Sequence, residues 1–202
     1  FAEKKLPIPI NTPCREVIIP GGATIHWDQW RLFRYLEMNR IDLFYSPYYK
    51  LPLLSPIPAI NQILDLMYLV FPPYLQELGI FGRIYYATFG RTCAHKAINI
   101  VTDSEHAKGD IVRLWRVMPE KITVIPLGLA DRYAPVKDKE RCAQVIKNFA
   151  LPERYLLYLG NFKPHKNVIS LVRSFARIKE EVKGLKLVLA GPLDAHGENL
   201  RR

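Results

Sequence analysis

One segment of this chain, residues 155–168 with the sequence YLLYLGNFKPHKNV, joins an apolar run, a basic loop and a helix start. The apolar run 155–159 predicts a buried strand, and Gly160 begins the loop where a side chain would obstruct the turn. Asn167 is placed to cap the helix that follows. The loop carries three basic side chains, Lys163, His165 and Lys166. Because the backbone N–H groups and dipole of a helix start also favour an anion, the segment predicts a phosphate-binding site.

The net charge favours partners that carry phosphate groups but does not identify which kind of molecule binds. The 202 residues include 29 Lys and Arg against 19 Asp and Glu, a formal net charge of +10 that attracts phosphate-bearing molecules. The basic residues are scattered along helices, with no zinc-finger spacing, RNP-type aromatic strand or basic arm, so we expect no nucleic-acid partner. The histidines have no metal-ligand spacing, so we expect no metal.

The apolar pattern and the cysteines predict a cytoplasmic protein. No apolar stretch is long enough to cross a bilayer, and no secretory signal pattern is present. The three cysteines, Cys14, Cys93 and Cys142, lie far apart and form no C-x-x-C pair. We therefore expect reduced thiols.

Strands and helices alternate along residues 16–125. The predicted strands are 16–19, 41–45, 59–63, 97–101 and 121–125, and the predicted helices are 27–39, 74–96 and 105–117. The alternation predicts a doubly wound α/β domain, a parallel sheet with both faces covered. Ligands bind such sheets at the carboxyl ends of the strands, so the loops 46–50, 64–66, 102–105 and 126–129 should share one rim.

Helical spacing predicts which side chains of two helices face the core. In helix 27–39 these are Trp30, Phe33 and Leu36, and in helix 74–96 they include Phe81, Tyr85 and Phe89. A capping box is predicted at 102–105 because Thr102 and Glu105 have its spacing.

A second unit follows the polar stretch 130–139, whose Pro135 and alternating charges suit a linker. Its predicted elements are a helix at 139–149, strands at 155–159 and 185–190, and a helix at 168–182. Two parallel strands are too little sheet for independent stability, so we expect this domain to be incomplete. We predict a first domain at 1–130 that lacks its first elements, a linker and helix at 131–152, and the start of a second domain at 153–202.

Five motifs together resemble the retaining glycosyltransferases of family 4 (group 1). In chain order they are IDLFYSP at 41–47, the strand ending at Asp65, IVTDSEHAK at 100–108, EKITVIPLG at 120–128 and LYLGNFKPHKN at 157–167. The resemblance covers most of residues 27–191. It implies the GT-B fold, in which two Rossmann-like domains face each other across a cleft. The first domain mainly contacts the acceptor and the second holds the nucleotide-sugar donor; no metal or other cofactor is implied.

The resemblance also implies site residues by position. Lys166 matches the lysine that binds the donor diphosphate. Asp65 matches a position at the end of a strand, and we expect it to be catalytic. Leu64 stands where the family has a histidine that contacts the donor sugar, and Asn161 where it often has an arginine. The implied phosphate loop contains Gly160, Asn161, Lys163 and His165, and the further candidates for the cleft are Tyr48, Ser104, Glu105 and Gly128.

Several candidates also have a purely structural interpretation. Asp65 can hydrogen-bond its own turn, Ser104 and Glu105 can cap a helix, and Lys166 can be a solvated lysine near a helix start. These alternatives stay open at the level of the sequence.

The function that the resemblance implies is retaining transfer of a hexose, such as a mannosyl or glucosyl group, from a nucleotide sugar to a glycan or lipid-linked acceptor. Polysaccharide assembly at the inner face of the cytoplasmic membrane fits this function, with peripheral membrane contact near Ile80 and Phe81 left open. We expect the chain alone to be inactive. The alternatives are a catalytically impaired GT-B relative and a GT-B-like sugar-nucleotide epimerase.

Overall fold

The computed structural model describes residues 16–20, 26–71, 73–74, 79–130 and 133–192. The chain divides into two compact units, Phe1–Gly128 and Leu129–Arg202.

Unit 1 contains a parallel sheet of four strands. The strands are β1 (Phe44–Ser46), β2 (Ala59–Gln62), β3 (Asn99–Thr102) and β4 (Ile122–Val124), and they lie side by side in that order. The parallel α/β class is therefore confirmed. The predicted strand at 16–19 is wrong, because the structure has only an isolated bridge at residue 18.

The helices of unit 1 lie between and before these strands. A π-type turn, Trp27–Arg31, leads into α1 (Leu32–Met38), and a short α2 (Met67–Val70) follows β2. Next come α3 (Gly79–Ile84), a π-type segment Tyr85–Gly90 and α4 (Arg91–Lys96), which together precede β3. The helix α5 (Glu105–Trp115) and a 3₁₀ turn, Pro119–Lys121, join β3 to β4.

One face of the sheet forms the core of unit 1. Side chains alternate along each strand, so the parallel register places Ala59, Ile100 and Ile122 on the same face, where all three are buried. On the opposite face Tyr45 is 48% exposed, and its hydroxyl donates to Gln62 Oε1 at 2.9 Å. Double winding and the two-domain GT-B arrangement stay predictions.

The helical phase differs from the prediction in the segment 79–96. Phe81 is 85% exposed, so its predicted inward position is wrong, whereas Cys93 and Ala94 are fully buried. The wider π-type turns at Tyr85–Gly90 rotate the later residues relative to a regular 3.6-residue spacing. Tyr85 and Phe89 do pack partly against the core and stack on each other with ring centroids 4.9 Å apart.

The buried face of α1 also differs from the prediction. Leu32 and Leu36, four residues apart, are buried, whereas Trp30 is 50% exposed. Trp30 belongs to the π-type turn before α1, and the guanidinium of Arg34 lies 6.0 Å from its ring. Of the residues predicted to face the core from this helix, Leu36 is fully buried.

The described part of unit 2 contains two parallel strands and two helices. In chain order they are α6 (Lys139–Asn148), β5 (Arg154–Leu159), α7 (Val168–Ile178) and β6 (Leu185–Ala190), with a 3₁₀ turn, Pro164–Lys166, before α7. The strands pair along their full length, from Arg154 opposite Leu185 to Leu159 opposite Ala190. Among the described residues of this unit Val168 is the one fully buried side chain, and Leu159 is 77% exposed.

The described ranges contain neither a membrane-spanning helix nor a metal-binding cluster. No helix there is long and apolar enough to span a bilayer. No group of three or more His, Cys, Asp and Glu side chains in those ranges is arranged to hold a metal ion.

Candidate functional site

A cavity of about 220 Å³ lies at the rim of unit 1, at the carboxyl ends of β1 and β2. Its walls are almost entirely aromatic and aliphatic, with Gln62 and Asp65 as the polar exceptions. We call it the aromatic pocket, and it is lined by Pro47, Tyr48, Tyr49, Gln62, Ile63, Leu64, Asp65, Leu66, Tyr68, Leu69, Tyr86 and Trp115.

Buried polar side chains on β1 and β2 hold the loop that carries Tyr48 and Tyr49. Ser46 Oγ lies 2.8 Å from the carbonyl oxygens of Tyr48 and Lys50. Asn61, which is fully buried, donates from Nδ2 to the carbonyl oxygen of Tyr49 at 3.2 Å. A buried backbone carbonyl needs such a partner, so these two residues fix the position of the loop.

The continuation of this loop is fastened by Gln29 and Cys93. Gln29 Nε2 donates to the carbonyl oxygen of Leu51 at 2.7 Å, and its Oε1 accepts from the N–H of Leu53 at 2.8 Å. The N–H of Leu51 donates to Cys93 Sγ at 3.3 Å. Burial raises the pKa of the Cys93 thiol to about 11, so it stays protonated at neutral pH.

The tyrosines of the pocket form one contiguous cluster. Ring centroids are 4.2 Å apart for Tyr48 and Tyr49, 5.3 Å for Tyr49 and Tyr86, and 4.6 Å for Tyr68 and Tyr86. Burial raises the pKa of Tyr48 to about 12 and also raises the pKa of Tyr49. These hydroxyls are therefore neutral hydrogen-bond donors throughout the physiological range.

Two buried polar atoms of the pocket walls make no hydrogen bond of good geometry in the described part of the chain. They are Tyr49 Oη and Trp115 Nε1, on side chains that are 8% and 2% exposed. Hydrogen bonding with the hydroxyls of Tyr48 and Tyr86 contributes to the raised pKa of Tyr49, after the larger effect of burial. An unsatisfied buried donor costs about 1–3 kcal/mol.

The structure brings Tyr48 and Asp65 together in the walls of the aromatic pocket. Asp65 is exposed, and its Oδ1 accepts from the N–H of Met67 at 2.9 Å. Asp65 therefore hydrogen-bonds its own turn, as one of the two interpretations predicted. A catalytic role for its second carboxylate oxygen stays a prediction. Leu64, at the position of the family's histidine, is 40% exposed and also lines the pocket.

The candidates Ser104, Glu105 and Gly128 do not line this pocket. Ser104 caps α5, because its Oγ accepts from the N–H of Ala107 at 3.3 Å. The predicted capping box from Thr102 to Glu105 is thus wrong in register, since Thr102 is a fully buried residue of β3 and Glu105 is the first residue of the helix. Gly128 is exposed, with open space around its Cα.

In unit 2 the basic loop begins where β5 ends. The N–H of Gly160 donates to the carbonyl oxygen of Ala190 at 2.9 Å, which continues the pairing of β5 with β6. The Asn161 carbonyl accepts from the Tyr158 hydroxyl at 2.7 Å, and Asn161 Oδ1 accepts from the N–H of Lys163 at 3.3 Å. Asn161 therefore shapes the loop from within.

The end of the loop presents basic side chains beside the start of α7. Lys163 and Lys166 are exposed and have no recorded ion pair in the described ranges, and His165 is half-buried. Asn167 precedes the helix in a left-handed conformation, with φ of 50°. Its predicted side-chain cap is wrong, because Asn167 Oδ1 accepts from Ser170 Oγ at 2.8 Å and from no backbone N–H.

Sequence reasoning missed most of the aromatic pocket. Tyr68, Tyr86 and Trp115 come from separate helical segments, and at helical spacing they are indistinguishable from ordinary core residues. One usable signal was present, since Ser46 and Asn61 interrupt apolar strands near their carboxyl ends.

No family model matches the chain. A sequence relative is the O-antigen chain mannosyltransferase B of Escherichia coli, which is 28% identical over 94 residues. That match covers 46% of this chain and 24% of the relative, so the chain spans about a quarter of the relative's length. A glycosyltransferase from Rickettsia africae ESF-5 has a crystal structure that covers 91% of this chain and 56% of its own, with 12% identity and a TM-score of 0.48. The sequence relative supports a relationship with glycosyltransferases, and membership of family 4 stays a prediction.

Proposed function

We propose that this chain belongs to a retaining glycosyltransferase that moves a hexose from a nucleotide sugar to a glycan or lipid-linked acceptor. The observation that carries the proposal is the loop after β5, which places Lys163 and Lys166 in solvent beside the start of α7. The similarity to a mannosyltransferase makes a mannosyl donor the first choice.

The geometry of this loop suits a departing nucleoside diphosphate. As the glycosidic bond breaks, the diphosphate gains negative charge, so fixed cations there stabilise the transition state more than the ground state. The two ammonium groups and the helix start supply this charge from the protein itself, and the proposal requires no metal. Gly160 belongs to the same loop, where a Cβ would lie 3.1 Å from Tyr158 Oη.

The proposal places the acceptor on unit 1 and the reaction at the cytoplasmic face of a membrane. A lipid-linked acceptor would be presented there, and Ile80 and Phe81 are 63% and 85% exposed on α3.

Replacing Lys166 by alanine should weaken binding of GDP or UDP by about 1.5–3 kcal/mol, the usual size of a hydrogen bond to a charged group. This corresponds to roughly a tenfold to hundredfold rise in the dissociation constant, which titration calorimetry on the full chain would measure. Lys183→Ala removes another exposed lysine of unit 2 and should leave the affinity unchanged. Equal affinities for the parent chain and Lys166→Ala would contradict the donor site.

A catalytically impaired relative is the second candidate. Leu64 replaces a polar contact to the donor sugar, and the one recorded hydrogen bond of Asp65 holds its own turn. Such a protein would bind the nucleotide sugar, with its affinity dependent on Lys166, but would neither transfer nor release the sugar in an acceptor assay. Conversion of the donor without any acceptor would instead indicate an epimerase.

A further inference from the structure

The walls of the aromatic pocket combine aromatic rings with a negative charge. Among the described residues that line it, Asp65 is the charged side chain, and Tyr48, Tyr49, Tyr68 and Tyr86 supply ring surfaces. Burial raises the pKa values of Tyr48 and Tyr49, so their hydroxyls add no further negative charge at neutral pH. The pocket therefore has the electrostatic character of a cation site.

The tyrosine rings in this part of the fold can hold a positive charge. The face of an aromatic ring is negative and attracts a cation that lies within about 6 Å of the ring centroid, more strongly where water is excluded. One such contact already exists, since Lys50 Nζ lies 5.7 Å from the ring centroid of Tyr48 and 5.9 Å from that of Tyr85. A ligand cation in the pocket would make contacts of the same kind.

Lys50 does not line the aromatic pocket itself. It lines a neighbouring groove together with Asp28, and its Nζ lies 3.5 Å from Asp28 Oδ2, so a carboxylate already offsets this ammonium. Asp65 has no recorded ion pair in the described ranges, and its recorded hydrogen bond, from the N–H of Met67, engages Oδ1 alone. An anion in the pocket would be repelled by Asp65, whereas a cation would offset its charge.

The volume and the aromatic walls favour a methylated ammonium group. The pocket volume of about 220 Å³ exceeds the roughly 150 Å³ of an engineered cavity that holds benzene, and a trimethylammonium group is no larger than benzene. A primary ammonium is strongly hydrated, so its transfer from water into apolar walls costs more free energy. Aromatic side chains are accordingly the usual protein partners of quaternary ammonium groups.

We infer that the aromatic pocket binds a small methylated ammonium group, such as that of choline, against its tyrosine rings and beside the carboxylate of Asp65. This site is additional to the proposed donor site. It requires neither a nucleotide nor glycosyl transfer.

Three probes of one shape and different charge test the site by titration of the full chain without nucleotide. Choline is the cation, its carbon analogue with a tert-butyl group in place of trimethylammonium is the neutral probe, and tert-butylacetate is the anion. The amide chemical shifts of residues 48–49 and 62–66 report occupation of the pocket. We expect the neutral analogue to bind at least about tenfold more weakly than choline, and the anion more weakly still. Equal binding of choline and its neutral analogue, or no response to choline, would overturn the inference.

Variants of Asp65 and Tyr68 locate the bound cation. Asp65→Asn keeps an oxygen for the N–H of Met67 but removes the charge, so choline binding should weaken about tenfold. Asp42→Asn makes the same change at an exposed position outside the walls and should preserve binding. Tyr68→Leu should weaken binding about threefold or more, whereas Tyr68→Phe keeps the ring and should bind choline as the parent does. Unchanged choline binding in folded Asp65→Asn and Tyr68→Leu would place the cation elsewhere and refute the site.

Phosphocholine distinguishes a lipid headgroup from a free ammonium compound as the source of the ligand. Binding as tight as that of choline would match a headgroup, and weaker binding would match a free compound; either result supports the ammonium site. Failure of the site is distinguishable from failure of the proposed function, because nucleotide affinity and its dependence on Lys166 are measured in unit 2.

Discussion

Replacing Gly191 by alanine is expected to remove the hydrogen-exchange protection of β5 and β6 while leaving β3 protected. A Cβ built at Gly191 would lie 2.0 Å from the carbonyl oxygen of Gly160 and 3.0 Å from the ring of Phe162. The first distance is far below any tolerable contact with a backbone atom, so the strand ends must separate. Overpacking usually costs 1–3 kcal/mol, and a collision with backbone at this distance places the cost at about 3 kcal/mol or more.

Unit 2 has little stability with which to absorb that cost. Its described residues contain two strands and one buried apolar side chain, so loss of the Gly160 contact should open the whole unit. We expect amides of 154–159 and 185–190 to exchange about a hundredfold faster, the factor that corresponds to about 3 kcal/mol. The same substitution should weaken nucleotide binding, because the displaced residues lead into the basic loop.

Mass spectrometry of deuterium uptake, read segment by segment, measures this change without assuming that the two units unfold together. Gly109→Ala is the matched control, because a Cβ there has no neighbour within 4 Å and the residue lies inside α5. It should leave exchange in unit 2 unchanged and slightly slow exchange in α5. Parent-like uptake of β5 and β6 in Gly191→Ala would contradict the close approach.

The strands were the most predictable part of the fold because their signals are local. The apolar run at 185–190 has the bounds of β6, and the predicted strand 59–63 overlaps all of β2. Loops at the carboxyl ends of parallel strands share a rim, and this rule correctly anticipated that Tyr48 and Asp65 would lie near one another.

Features that depend on tertiary packing were not predictable. The π-type turns at Tyr85–Gly90 change which helical face is buried, and no local signal in the sequence marks them. Gly90 shows the underlying constraint, because a Cβ there would lie 2.8 Å from the ring of Trp115. The helix can approach Trp115 closely only at a glycine, and this requirement links residues 25 positions apart.

The sequence correctly predicts which residue types precede helices, but not which of these residues cap the helix with their side chains. Serine, aspartate and asparagine precede three of the described helices, and of these three residues Ser104 and Asp138 accept from a backbone N–H of their helix. Asn167 has the left-handed conformation instead, which turns its side chain toward the Ser170 hydroxyl. Sequence identifies candidate caps, whereas backbone conformation decides which of them accept from a backbone N–H.

Replacing Trp115 by alanine is expected to destabilise unit 1 by about 3–5 kcal/mol, the usual cost of deleting a large buried aromatic side chain. Trp115 is 2% exposed, contacts Gly90 across the core and forms part of the pocket wall. The new void would adjoin the aromatic pocket and be lined mainly by apolar atoms, so water entering it would recover little of the lost contact energy.

The thiol of Cys93 reports the opening of unit 1. It is fully buried and its pKa is raised to about 11, so alkylation requires the core to open. In a background with Cys14→Ser and Cys142→Ser, Trp115→Ala should be labelled at least about a hundredfold faster than its parent. Trp30→Ala makes the same chemical change at a half-exposed position and should alter labelling less than about threefold. Hydrogen exchange at β3 should accelerate by the same factor as labelling in Trp115→Ala, because a core opening exposes both. Faster labelling with unchanged exchange at β3 would mean a local gap at Cys93, and Trp115 would then not be an anchor of the unit 1 core.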